Sequence, residues 1–284
     1  MKTIVTGASG LLGREVFRIF KVQFPETVGT CFSRDNGILH KIDLTDSKAV
    51  YEFVKSIRPD VIVHCAAERK PDVCSGNPEQ AEKLNVSATA QLSQLSDKFK
   101  FKLIYISTDY VFDGTEAPYS TEDQPNPINF YGKTKLVGEK EVLKARQGVV
   151  VRVPILYGPT NDLNESAVTT LVNKIESTGT VDNWAVRYPT LTTDIAKALV
   201  QISQKAEPGI YHFSSSEPFT KYQMTKLMAK LLNRPLSAVP VTEPPSGGVI
   251  RPYDCHLTVS KLSEIGVNLV STPFIDALHH IFRA

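Results

Sequence analysis

An α/β chain, with a doubly wound parallel sheet and a smaller C-terminal lobe, is predicted by three observations. Short apolar runs rich in Val and Ile alternate with stretches of helical period. The first of these runs, residues 3–6, passes directly into Gly7-Ala-Ser-Gly10-Leu-Leu-Gly13. Beyond Pro159 the regular alternation gives way to irregular, proline-containing sequence, which sets off the second lobe.

The totals narrow the possibilities. At 284 residues, 42% hydrophobic and 22% charged, the chain can bury an ordinary core. A formal charge of +2 argues against an extended nucleic-acid or membrane surface. No apolar run approaches the length of a membrane span, and the amino terminus enters a strand rather than a signal peptide. A cytoplasmic location is expected, with a nuclear one left open. Cys31, Cys65, Cys74 and Cys255 have no paired metal spacing and read as reduced thiols. Glu15, His212, His256, His279 and His280 also lack a ligand spacing, so no metal is expected.

In chain order, the strand at 3–6 is followed by a helix with apolar residues at Leu12, Val16, Ile19 and Phe20. Between them Gly7 permits a tight turn, Gly10 lets the backbone approach a pyrophosphate, and Gly13 lets helix and strand pack closely. This is a dinucleotide-binding, Rossmann-like opening, with free helix N–H groups facing the phosphates. A second strand, 27–32, ends in Ser33-Arg34, which suits a 2′-phosphate and favours NADP, although Asp35 follows. The third strand ends at Asp43-Leu44, where Asp43 would meet an adenine amino group or cap the helix of residues 46–57. A fourth strand, 61–67, precedes Arg69, which would reach phosphate or substrate or stay solvated. Pro78 suits the first turn of a helix running to about Lys98.

Residues 102–135 carry the chemistry. A strand, 102–108, ends at Thr108, and Tyr131 and Lys135 lie one helical turn apart on a following helix. The Lys135 ammonium is expected to lower the pKa of the Tyr131 phenol, with the Thr108 hydroxyl aimed at the same volume. Such a phenol can deliver a proton to a ketone oxygen as carbon accepts a hydride. A sixth strand, 149–155, ends in Leu156-Tyr-Gly-Pro159. Next come a helix-like segment at 165–177, a helix from about Thr193, a strand at 209–214, a helix at 221–232 and a loop at 240–252. The expected partition is an NADP-binding domain of residues 1–158, rejoined by 189–214, and a substrate or partner lobe of 159–188 and 215–284.

Gly7-x-x-Gly10-x-x-Gly13, Ser107-Thr-Asp-Tyr-Val-Phe-Asp-Gly114, Tyr131-Gly-Lys-Thr-Lys135 and Arg251-Pro252 together resemble the extended short-chain dehydrogenase/reductases of the dTDP-4-dehydrorhamnose reductase type. That resemblance implies a catalytic Thr108, Tyr131 and Lys135 and a nucleotide-sugar substrate. Position 110 is Tyr, where related dehydratases carry an acidic residue, which counts against dehydration. A narrower match involves His64-Cys-Ala-Ala-Glu-Arg-Lys-Pro-Asp-Val73, Glu165-Ser-Ala-Val-Thr169, Asp182-Asn-Trp184 and Thr220-Lys-Tyr222. It is similar to the regulatory beta subunits of methionine adenosyltransferase, which keep the reductase fold, bind NADP and associate with the catalytic subunit. By that similarity the cofactor contacts fall at Ser9, Gly10, Leu11, Leu12, Phe32, Ser33, Arg34, Asp43, Leu44, Cys65, Arg69, Tyr131, Lys135 and Leu156. Animal beta subunits continue into a tail that engages the catalytic subunit, whereas this sequence stops at Ala284. A regulator of this length is expected to use another surface, and a plain reductase none.

Overall fold

The computed structural model describes residues 1–34 and 37–282; Asp35, Asn36, Arg283 and Ala284 lie outside that range. In chain order the first half comprises β1 (Thr3–Thr6), α1 (Leu11–Gln23), β2 (Val28–Cys31), β3 (His40–Lys41), α2 (Ser47–Ile57), β4 (Val61–His64), α3 (Pro71–Gly76), α4 (Pro78–Glu82), α5 (Ala88–Phe99), β5 (Lys102–Thr108) and α6 (Phe130–Val142). The second half comprises β6 (Gly148–Val153), β7 (Leu156–Tyr157), β8 (Thr180–Asp182), β9 (Thr190–Leu191), α7 (Thr192–Lys205), β10 (Gly209–His212), α8 (Lys221–Leu231), β11 (Val239–Val241), α9 (Ser260–Glu264) and α10 (Phe274–Phe282).

Seven strands form one parallel sheet in the order β10-β6-β5-β4-β1-β2-β3. Strand residues alternate between two cores, as a sheet covered on both faces requires. Val5, Val63, Ile104 and Val151 face the side of α1 and α7, where Val16, Phe20, Leu199 and Ile202 close the core. Ile4, Ile62, Leu103, Tyr105 and Val150 face α2, α5 and α6, meeting Val54, Leu92 and Val142. Each such side chain contributes about 1.5–3 kcal/mol of burial. A third core joins Tyr157, Leu171, Met224, Met228, Phe274 and Leu278 in the C-terminal half.

Local chemistry sets the ends of several elements. Asp46 caps α2 by accepting from the Lys48 and Ala49 amides, and Thr220 and Gln223 form a reciprocal capping box on α8. The helix expected from Pro78 forms as α4 and α5, joined through a wide π-turn at Lys83–Ser87. That turn carries Asn85 inward. The Asn85 amide nitrogen donates to Glu68 O and Thr134 Oγ1, and its oxygen accepts from the Glu68 amide.

Two readings of the second half are corrected. Residues 165–177 form short 3-10 segments, Leu163–Glu165 and Thr169–Lys174, not an α-helix. Val168, Leu171, Val172 and Ile175 are spaced by three and four, which suits a 3.0-residue turn as well as a 3.6-residue one over so short a run. The loop expected over 240–252 gives up its first residues to β11, which pairs with β8. No described helix is long and apolar enough to cross a membrane.

Candidate functional site

The strand order reverses between β1 and β4, and at such a switch point a crevice opens beyond the carboxyl ends of the strands. A cavity of about 1050 Å³ occupies that crevice. Every residue singled out for cofactor or catalysis lines it: Gly7, Ser9, Gly10, Leu11, Leu12, Gly13, Phe32, Ser33, Arg34, Asp43, Leu44, Cys65, Arg69, Thr108, Tyr131, Lys135 and Leu156.

The glycine loop has the shape its spacing predicts. Gly7 sits at φ +64°, and a Cβ there would lie 2.9 Å from the Ala66 backbone. On Gly13 a Cβ would lie 2.1 Å from the Gly7 carbonyl oxygen, so only glycine lets α1 start this close to β1. The volume and the loop fit an extended dinucleotide, with the amino end of α1 toward its phosphates.

On the β2–β3 side of the cavity the side chains are already engaged. Asp43 Oδ1 accepts from the amide and hydroxyl of Thr45, so it shapes its own turn, while Asp46 is the helix cap. Phe32 is exposed. Arg34 Nη1 donates to Glu165 Oε1 at 2.9 Å, and Arg69 Nη2 donates to the Glu165 carbonyl at 2.6 Å. Burial pushes the Cys65 thiol up to about 12 despite the nearby Lys135 charge, which removes it as a nucleophile.

At the other end Thr108, Tyr131 and Lys135 come together, but with the reverse electrostatics from that expected. Burial raises the Tyr131 phenol well above its ordinary range, only partly offset by a hydrogen bond with Thr108. Burial likewise lowers Lys135 to about 7, against the pull of Glu139, Cys65 and Cys74. Its Nζ donates to Ile106 O at 2.7 Å and lies 3.9 Å from the Tyr105 ring centre. Lys135 is thus directed to the strand and the Tyr105 face, and desolvation dominates both groups.

Asp109, next to Thr108, is raised to about 7 by burial, opposed by Arg187 and by hydrogen bonding from Thr108. Because the protonated acid is favoured in the fold, folding takes up a proton and stability falls as pH rises from the ordinary carboxylate range to about 7, then levels off. Asp109→Asn removes that slope. Its melting temperature relative to the unsubstituted protein should therefore shift upward between about pH 5 and about pH 8; a gap constant with pH would refute the shift.

Other cavity residues stood only inside resembling segments, Lys221 in Thr220-Lys-Tyr222, Arg251 in Arg251-Pro252 and Arg187 in Arg187-Tyr-Pro189, with no role read for them. Arg187 is 3% exposed; its Nη1 donates to the carbonyls of Val186, Pro252 and Tyr253, and its Nη2 has no partner among the described residues. Lys221 and Arg251 line the same cavity, and Lys221 is lowered by burial and by those two arginines. Arg14, outside the cavity lining, follows Gly13 in the first turn of α1. Its Nη2 donates to Glu165 Oε2 at 2.7 Å.

Comparison with known proteins agrees with this architecture. Residues 1–283 match the RmlD substrate binding domain family. Over 283 residues the chain is 42% identical to methionine adenosyltransferase 2 subunit beta of Xenopus tropicalis, covering 96% of this chain and 84% of the relative. It superposes on a hypothetical dTDP-4-dehydrorhamnose reductase from Sulfolobus tokodaii with a TM-score of 0.86 at 29% identity, covering 98% of this chain and 99% of the other. A dTDP-4-dehydrorhamnose reductase from Bacillus anthracis, solved in complex with NADP, gives 0.87 at 26% identity, covering 100% and 99%.

Proposed function

Because this chain belongs to the RmlD substrate binding domain family, we propose that it is a dinucleotide-binding regulatory subunit of methionine adenosyltransferase, modulating S-adenosylmethionine synthesis. The observation that carries this reading is the 42% identity, over 96% of the chain, to subunits bearing that name. A nicotinamide cofactor accords with the glycine cradle and with the NADP complex of the Bacillus anthracis neighbour. NADP is preferred to NAD because the segment that follows β2 carries Arg34, a donor for a 2′-phosphate. In this reading Ser9 to Leu12 hold the pyrophosphate, Ser33 and Arg34 the adenosine phosphate, and Tyr131 and Lys135 the nicotinamide ribose. Residues 159–188 and 215–284 form the lobe offered to substrate or partner, and the protein works in the cytoplasm beside the catalytic subunit.

A second reading is favoured by one observation: Thr108, Tyr131 and Lys135 line the same cavity. In it the protein is an NADPH-dependent 4-ketoreductase of a nucleotide sugar. The bound cofactor would supply hydride to the ketone carbon. The Tyr131 hydroxyl donates a proton to the ketone oxygen, Thr108 hydrogen-bonds that oxygen, and Lys135 offsets the phenolate left behind. A phenol held protonated by burial suits a proton donor.

Co-expression with a methionine adenosyltransferase catalytic subunit separates the two. A regulator should co-elute with the catalytic subunit on sizing and change its rate, with Tyr131→Phe leaving the complex intact. Absence of a complex, together with NADPH oxidation by a 4-keto nucleotide sugar that Tyr131→Phe lowers at least about 100-fold, would establish the reductase instead.

A further inference from the structure

We propose that Glu165 sets the dinucleotide preference of this chain, acting as an internal counter-ion that only a ligand bearing a 2′-phosphate displaces. The inference rests on the dinucleotide reading above. Three guanidinium groups, from three separate segments, converge on this residue. Arg14 in the first turn of α1 donates to Oε2 at 2.7 Å, Arg34 beyond β2 donates to Oε1 at 2.9 Å, and Arg69 beyond β4 donates to the main-chain oxygen at 2.6 Å. The Asn161 amide adds a fourth donor, to Oε2 at 3.1 Å. The Glu165 side chain is 13% exposed. Burial pushes its carboxyl up, yet the Arg14 and Asn161 hydrogen bonds and the charges of Arg14 and Arg34 outweigh this and hold it below its ordinary range.

The position of this cluster gives it meaning. Arg34 Nη2 lies 3.9 Å from where a Cβ on Gly10 would sit, so the guanidinium that holds Glu165 also borders the phosphate loop. A carboxylate on these donors occupies the role that phosphoryl oxygens would take. A 2′-phosphate carries up to two charges and three acceptor oxygens, and it can take Arg34 from Glu165 with no loss of charge-assisted bonding. A dinucleotide ending in a free 2′-hydroxyl has nothing to exchange, and the Arg34–Glu165 pair persists. Glu165 therefore lowers affinity for NADP below what Arg34 alone would give, while leaving NAD almost untouched. Its segment is tied to the cavity wall through Ser166 Oγ, which donates to Leu156 O, so displacement of Glu165 is felt at the 3-10 segment beside it.

The test compares Glu165→Gln, which keeps size and removes charge, with the unsubstituted protein. Calorimetric titrations at fixed ionic strength use NADP, NAD, 2′,5′-ADP and 5′-AMP. The variant should bind NADP and 2′,5′-ADP about three- to fivefold more tightly, with NAD and 5′-AMP changed by less than about twofold. In the unsubstituted protein, 2′,5′-ADP should speed hydrogen exchange at the Asn161 amide and 5′-AMP should not, a readout independent of the variant's folding. NADP affinity that is unchanged or weaker in the variant overturns the proposal, and so does exchange at Asn161 that 2′,5′-ADP leaves unaltered. A loss of NAD affinity would overturn it too, by making Glu165 a ribose ligand. If the unsubstituted protein binds NADP and Glu165→Gln does not differ, only this inference fails. If neither protein binds any of the four ligands, the dinucleotide reading fails with it.

Discussion

Glu139→Ala should destabilise the protein by about 3–5 kcal/mol in urea denaturation, because it leaves a buried guanidinium without its counter-charge. Glu139 and Arg152 are each 1% exposed, and two hydrogen bonds of 3.0 and 2.8 Å join them. The Ser107 hydroxyl also donates to Glu139, so one carboxylate ties α6 to β5 and β6. Removing both charges is a different case. Glu139→Leu combined with Arg152→Met should recover most of the lost stability, since a well-packed apolar pair avoids the desolvation of two ions. A double variant no more stable than Glu139→Ala would show that the hydrogen-bond geometry, rather than the unpaired charge, carries the effect.

The second large effect is expected at the glycine loop. Gly13→Ala places a methyl 2.1 Å from the Gly7 carbonyl oxygen and 2.7 Å from its carbon, so the loop must move or α1 must shift. Overpacking of this kind costs about 1–3 kcal/mol, which as a binding loss is about 5- to 150-fold. NADPH titration followed by nicotinamide fluorescence measures it. Gly10→Ala serves as a comparison for the fold alone, because its methyl would meet Gly7 O only at 3.2 Å and should lower the melting temperature far less than Gly13→Ala. Equal affinity in Gly13→Ala and the unsubstituted protein would remove the loop from the phosphate site.

The sheet, the glycine loop and the pairing of Tyr131 with Lys135 were legible in the sequence because each depends on neighbours within about two helical turns. The electrostatic relation of that pair was not. It depends on what packs around each group, and Tyr105 and Ile106 come from β5 and Cys65 from the segment just past β4. Glu165 was legible as part of a resembling segment but not as an arginine partner, since Arg14, Arg34 and Arg69 lie 151, 131 and 96 residues away in the sequence. Asp35, which bears on the NADP preference, lies outside the described residues.

The wide turn between α4 and α5 has a mechanical consequence. By swinging Asn85 into the interior, it fastens the backbone at Glu68 to Thr134, the neighbour of Lys135. The strand-end loop that presents Arg69 and the helix that presents the phenol are therefore cross-linked by hydrogen bonds through one side chain. Glu68, one residue before Arg69, and Thr134, one residue before Lys135, thus share a single buried amide as their common anchor.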